Sequence, residues 1–187
     1  MSSFIIYYKG QKVKGGFSVQ SKTQKIVLAA LLAALTCVAT MIVKIPSPMK
    51  GYVNLGDCAV LAAGWILAPG YAFLAAGLGS ALADLFSGYV IYAPATFVIK
   101  GGMAVIAFLV FRVSKKPAGK LGARVIGGVC AEAFMVLGYF LFEGILYGFG
   151  PSLVNIPANA AQGVAGVVIG CVLIIVLGRT KLPVWKE

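Results

Sequence analysis

The chain has 187 residues, 60% of them hydrophobic and only 11% charged, with a mean hydropathy of +0.97. A soluble domain carries about 25% charged residues, so an ordinary soluble domain is excluded and an integral membrane protein is expected. Sixteen Lys and Arg against five Asp and Glu leave a formal charge of +11. The basic residues sit almost entirely outside the apolar runs, where they set membrane topology and give no reason to expect a nucleic-acid partner.

In chain order, residues 1–25 form a basic tail with Lys9, Lys12, Lys14, Lys22 and Lys25. Its short apolar run Phe4 to Tyr8 is followed by no small-residue cleavage site, so the tail is not read as a signal peptide. Six apolar segments follow, at about 26–43, 57–68, 71–86, 94–113, 123–142 and 157–178, and residues 179–187 close the chain. The breaker pair Pro69-Gly70 separates the second segment from the third. A crossing needs about 20 apolar residues, or about 17 at the low end. The second and third segments are at or below that limit and are expected to be tilted or partly re-entrant. The fold class expected is an all-α integral membrane protein, a bundle of six transmembrane helices.

Orientation follows from the basic residues. The tail carries five, the stretch after segment four carries five (Arg112, Lys115, Lys116, Lys120, Arg124), and the C-terminus carries three (Arg179, Lys181, Lys186). Six crossings put all of these on one side, leaving only Lys44 and Lys50 opposite. By the positive-inside rule both termini are cytoplasmic.

Ionisable groups inside hydrocarbon are costly and face protein or water. Asp57, Asp84, Lys100, Glu132 and Glu143 all lie in or beside the apolar segments. The deduced topology puts Asp57, Asp84 and Glu143 at outer ends, Lys100 about two turns in, and Glu132 near mid-depth. At the same outer level are Tyr52, Asn54, Tyr89, Tyr92, Thr96, Tyr139, Asn155, Asn159 and Gln162. Polar and aromatic groups converging at one depth describe a pocket for a small polar molecule. Plainer readings stand beside this one. Asp57 and Glu143 also suit solvated loop ends, and Asp84 with Lys100 suits a structural ion pair. Asn159 and Gln162 suit interhelical hydrogen bonding, and Tyr89 and Tyr92 an interfacial aromatic belt.

Two further features bear on function. Segment one carries overlapping Ala-x-x-x-Ala pairs, Ala29/Ala33 and Ala30/Ala34, a flat stripe that another helix can approach closely, whether inside the chain or outside it. Cys37, Cys58, Cys130 and Cys171 are far apart and His is absent. That leaves no metal-ligand spacing and removes the commonest general base, so neither a metal nor a catalytic site is expected. No phosphate-binding Gly-x-x-x-x-Gly-Lys-Ser/Thr loop is present, so ATP is not expected to be hydrolysed by this chain.

Several segments resemble the substrate-binding S components of energy-coupling factor (ECF) vitamin transporters, closest to the riboflavin-transporter-like branch. They are the segment-one alanines after Lys22-Thr23-Gln24-Lys25, the loop Pro46-Ser47-Pro48, the stretch Gly51 to Asp57, and Gly77 to Tyr89 continuing into Tyr92 to Gly101. The resemblance covers about residues 20–180. It implies six helices, cytoplasmic termini, and a vitamin pocket in the outer half under a lid formed by the first loop. It also implies that Ala29, Ala30, Ala33 and Ala34 dock a membrane scaffold subunit carrying two ATPases. On this analogy the pocket candidates are Asn54, Asp57, Asp84, Tyr89, Lys100, Tyr139, Asn159 and Gln162, with no cofactor bound by the chain itself.

One lysine with carboxylates, amides and tyrosines suits a flat heterocycle bearing hydroxyl groups. Neither Trp65 nor Trp185 is expected near the pocket, which favours a single-ring vitamin or precursor of hydroxymethylpyrimidine or pyridoxine type over riboflavin. A self-sufficient carrier or channel is the reading from another class, and it predicts uptake without ATPase partners.

Overall fold

The computed structural model describes residues 22–46 and 52–179, with the backbone alone described at 115–118 and at 178. The tail before Lys22, the loop tip with Lys50, and the C-terminal residues with Trp185 lie outside the described residues. Helix α1 (Lys22–Ile42) leads into a two-stranded antiparallel ribbon of β1 (Lys44–Pro46) and β2 (Tyr52–Asn54), in which Ile45 faces Val53. Then come α2 (Asp57–Ile66), α3 (Pro69–Phe86), α4 (Ala93–Tyr147), the single turn α5 (Phe149–Ser152), a 3-10 turn (Leu153–Asn155) and α6 (Ile156–Arg179). The protein is an all-α membrane protein with one short ribbon.

Among the described residues, four stretches are long and apolar enough to cross a bilayer: Lys22–Ile42, Ala93–Ser114, Gly119–Tyr147 and Phe149–Leu177. Lys22 to Lys25, expected in the tail, form the first turn of α1. The break between α2 and α3 falls where Pro69 was expected to place it, but the proline opens α3. It occupies the first turn, where its missing N–H is no loss, and holds Ala68 extended at φ −67, ψ 151.

The connection after segment four is a tight reversal at Gly119 and not an extended loop. Helical structure runs through the basic stretch and only Gly119 leaves it, at φ 70, ψ 174, a backbone that side chains other than glycine rarely adopt. The two arms of α4 fold back on each other: a Cβ on Gly127 would lie 3.0 Å from the Ala107 carbonyl, and one on Gly138 would lie 3.0 Å from Ile99. Sequence numbers rise along one arm as they fall along the other, so the arms are antiparallel.

Helix α2 is the centre of the molecule. Every residue from Asp57 to Trp65 is buried, and α1, α3, α4 and α6 surround it. Ten residues rise about 15 Å, half of a bilayer's hydrocarbon thickness. An apolar helix buried all round needs no lipid contact, which is why a segment too short to cross is stable here. Trp65 fills space near the far end of α2, beside Gly128 and Gly170. Helix α1 is the opposite case. Only Leu32, Thr36 and Thr40, spaced four apart, are buried, while Ile26, Val27, Leu31, Leu35, Val38 and Ile42 face outward.

Candidate substrate-binding site

The C-terminal ends of α1 and α3 meet the start of α4, the end of its second arm and the start of α6 at one end of the bundle. The described basic residues Lys22, Arg112, Lys120, Arg124 and Arg179 belong to the helix ends at the other. Between the polar ends lies a cleft enclosing about 480 Å³ of empty space, part of it open to solvent. Helix α1 contributes Thr40, β2 contributes Tyr52 and Asn54, and α3 contributes Ser80 and Asp84. Tyr89 and Tyr92 come from the α3–α4 connection, Thr96 and Lys100 from the first arm of α4, and Tyr139 and Glu143 from the second. Asn159 and Gln162 of α6 close the ring.

Below the cleft, the Lys100 ammonium is paired with the Asp57 carboxylate, both almost completely buried. Gln162 Nε2 donates to the other Asp57 oxygen at 2.6 Å, and Gln162 Oε1 accepts from the Asn54 backbone N–H at 2.8 Å. The chain from Asn54 through Gln162 and Asp57 to Lys100 ties the ribbon to α6, α2 and α4. Buried ions persist only when paired and hydrogen-bonded, and here each has its partner. Glu132 is also buried, but neither of its oxygens has a hydrogen-bond partner. Its carboxyl sits against α6 at Gly163 and Gly166, where a Cβ would collide with it.

At the upper edge, the Tyr52 hydroxyl donates to Asp84 Oδ1 at 2.6 Å. Burial first, and then the Asp84 charge, push the Tyr52 phenol well above its ordinary pKa, so it remains a donor. The Tyr52 ring packs against Tyr89 in a tilted pair at 4.7 Å, and Tyr89 meets Tyr92 edge-on at 6.3 Å. Thr96 and Tyr139 share a hydrogen bond of 3.1 Å, and Asn155 Nδ2 donates to both Glu143 oxygens at 2.9 Å. The ribbon thus forms one wall and part of a roof, held by Tyr52 to α3 and by Asn54 to α6.

Of the residues singled out from the sequence, Asn54, Asp84, Tyr89, Lys100, Tyr139, Asn159 and Gln162 line the cleft. Asp57 does not. It is fully buried beneath the floor, because pairing with Lys100 draws it inward. It is not a solvated loop end, it does not line the cleft, and it takes the place beside Lys100 that the alternative reading gave to Asp84. Thr40 and Ser80 were missed, although Ser80 lies one helical turn before Asp84 and that spacing was visible. The alanine stripe divides. Ala29 and Ala33 pack on the core, with the Ala33 backbone against Gly79 of α3, whereas Ala30 and Ala34 are exposed. Buried Cys58 donates to the Leu55 carbonyl at 3.0 Å.

Fold and site define a class: a multi-pass helical membrane protein with a polar cleft roofed at one end by a ribbon. The sequence matches the family described as ECF-type riboflavin transporter, S component, over residues 20–179, and the chain belongs to that family. It is a membrane transport subunit for vitamin uptake, and not an enzyme. It is 37% identical over 134 residues to an uncharacterised protein of Pyrococcus woesei, covering 71% of this chain and 87% of that one. It is 26% identical over 161 residues to the thiamine precursor transporter HmpT of Lactococcus lactis subsp. cremoris, covering 85% and 90%.

Proposed function

We propose that the chain is the high-affinity substrate-binding subunit of an ECF-type ABC importer. It captures a small B-vitamin or precursor, with a single ring of hydroxymethylpyrimidine or pyridoxine type, in the cleft between the ribbon and the helix ends. Both termini are cytoplasmic, six helices traverse or enter the membrane, and the cleft opens outward. The exposed face of α1 around Ala30 and Ala34 docks the membrane scaffold subunit, and two ATPases on that scaffold supply the energy. The chain itself binds no cofactor.

The observation that carries this reading is the roofed cleft, where lid and helices share Tyr52–Asp84 and Asn54–Gln162 hydrogen bonds. A lid tied to two walls can close over a ligand and exclude water, which strengthens polar contacts in low dielectric. The thiamine precursor named for the Lactococcus relative supports a single-ring substrate. The family description favours riboflavin as the second reading. Mass spectrometry of small molecules extracted from the protein purified alone in detergent tests both. A vitamin or precursor recovered near one per chain names the substrate, while an empty protein with no thermal shift across a vitamin panel sinks the binding-subunit reading. Uptake by vesicles containing this chain alone would instead make it a self-sufficient carrier.

A further inference from the structure

We infer that the cleft selects a ligand with an N–H donor edge, a ring amine or protonated ring nitrogen, and that Asp84 with Ser80 reads that edge. The inference rests on the binding-subunit reading above and narrows its substrate class.

Two observations carry it. First, Asp84 is 4% exposed and its Oδ1 accepts from Tyr52, yet Oδ2 is buried with no hydrogen-bond partner. One turn earlier on the same helix, Ser80 is 2% exposed and its hydroxyl is likewise buried without a partner. Both side chains line the cleft. Thr96 stands beside the same carboxylate and shares a hydrogen bond of 3.1 Å with the Tyr139 hydroxyl, in which either oxygen can donate. Buried polar groups are normally satisfied, so two unsatisfied ones on one face of α3 mark where a ligand supplies the missing partners.

Second, the charges leave no free cation for an anionic ligand. Among the described residues lining the cleft Lys100 is the single cation, and its charge is neutralised by Asp57 directly beneath. Asp84 and Glu143 are the carboxylates in the lining. A phosphate or carboxylate would meet these two with no compensating charge. An amine supplies the partner that the second Asp84 oxygen lacks, and the remaining Lys100 N–H groups suit a ring nitrogen or hydroxyl on the opposite edge. Sites built around a specific hydrogen bond reject analogues lacking it far better than apolar pockets reject a change in size.

The test is titration of the detergent-purified full chain by calorimetry with four probes. They are hydroxymethylpyrimidine bearing its ring amine, the isostere with a methoxy oxygen in place of that amine nitrogen, the phosphorylated pyrimidine, and riboflavin. The amine form should bind about 10- to 100-fold more tightly than the oxygen isostere, matching the loss of one hydrogen bond to a buried charge, and the phosphorylated form should not bind measurably. Asp84→Asn, which offers a donor as well as an acceptor, should reduce the amine-to-oxygen preference to within about threefold. Ser80→Ala should weaken the amine form by about 3- to 10-fold. If Asp84→Asn fails to fold, Ser80→Ala and the wild-type panel decide the matter. Equal binding of the two isosteres, or tightest binding by riboflavin or the phosphorylated form, overturns the inference and leaves the binding-subunit reading intact. Binding by none of the four overturns this inference, while the binding-subunit reading falls only if the extracted protein is also empty and unshifted by the vitamin panel.

Discussion

The floor of the cleft and its upper edge use the same chemistry, a buried carboxylate and a donor, to different ends. On the floor, Asp57 is fully buried, and both its oxygens are taken by Lys100 and Gln162 from helices of this chain. At the edge, Asp84 has one oxygen held by Tyr52 and the other left open. A saturated carboxylate can only hold the fold together. A half-satisfied one on a cleft can bind something else, so an oxygen left without any partner, more than burial or charge, separates recognition from structure here.

The comparison breaks most easily at the floor. Asp57→Ala would leave Lys100 charged and alone in the bundle, and should cost about 3–5 kcal/mol. Thermal unfolding of the detergent-solubilised protein should show a large drop in Tm or loss of folded protein. The paired change Asp57→Leu with Lys100→Met removes both charges together and should recover most of that loss. Failure to recover would mean that Lys100 does more than balance Asp57.

The edge should respond differently. Tyr52→Phe removes one hydrogen bond between ribbon and α3, so ligand should leave about tenfold faster in a stopped-flow chase while Tm changes little. A matching fall in Tm would make Tyr52–Asp84 part of the floor's framework. A smaller effect of opposite sign is expected at Glu132, whose carboxyl has no hydrogen-bond partner. Glu132→Gln keeps the shape, removes a buried acid and adds a donor within reach of Asp57, so it should raise Tm slightly. A clear loss of stability would show that the acid form is needed.

The smallest effect on the isolated chain is expected at Ala34→Trp, on the exposed face of α1. Ligand affinity and Tm should hold, while uptake by the assembled transporter is abolished if that face docks the scaffold. Ala33→Trp is a poorer probe, because Ala33 packs on the core and its backbone abuts Gly79, so docking and folding would be disturbed together.

Much of this was legible in the chain. Hydropathy located the four apolar stretches long enough to cross a bilayer, because lipid demands long apolar runs and internally bonded backbone. Pro69 marked the break between α2 and α3. The rarity of ionisable groups in apolar segments drew attention to Asp57, Asp84, Lys100, Glu132 and Glu143, all of which are buried. Their shared depth identified most of the cleft lining before any packing was known. Ser80 and Thr40 were less visible, since hydroxyl residues are common and inexpensive in helices and signal little unless a neighbour is known.

Composition and spacing by themselves determined that the chain is a helical membrane protein with polar groups gathered at one level, because these follow from the solvent and from distance along a helix axis. Only the tertiary structure decided which groups meet. Lys100 is 43 residues from Asp57 and 16 from Asp84, yet it pairs with the more distant one. The choice depends on helix rotation and on α2 lying at the centre of the bundle. The same rotation turned Ala29 and Ala33 inward and left Ala30 and Ala34 facing out. Depth is a property of a single segment and can be read from it, whereas facing is a property of the packed set and exists only once all the helices are in place.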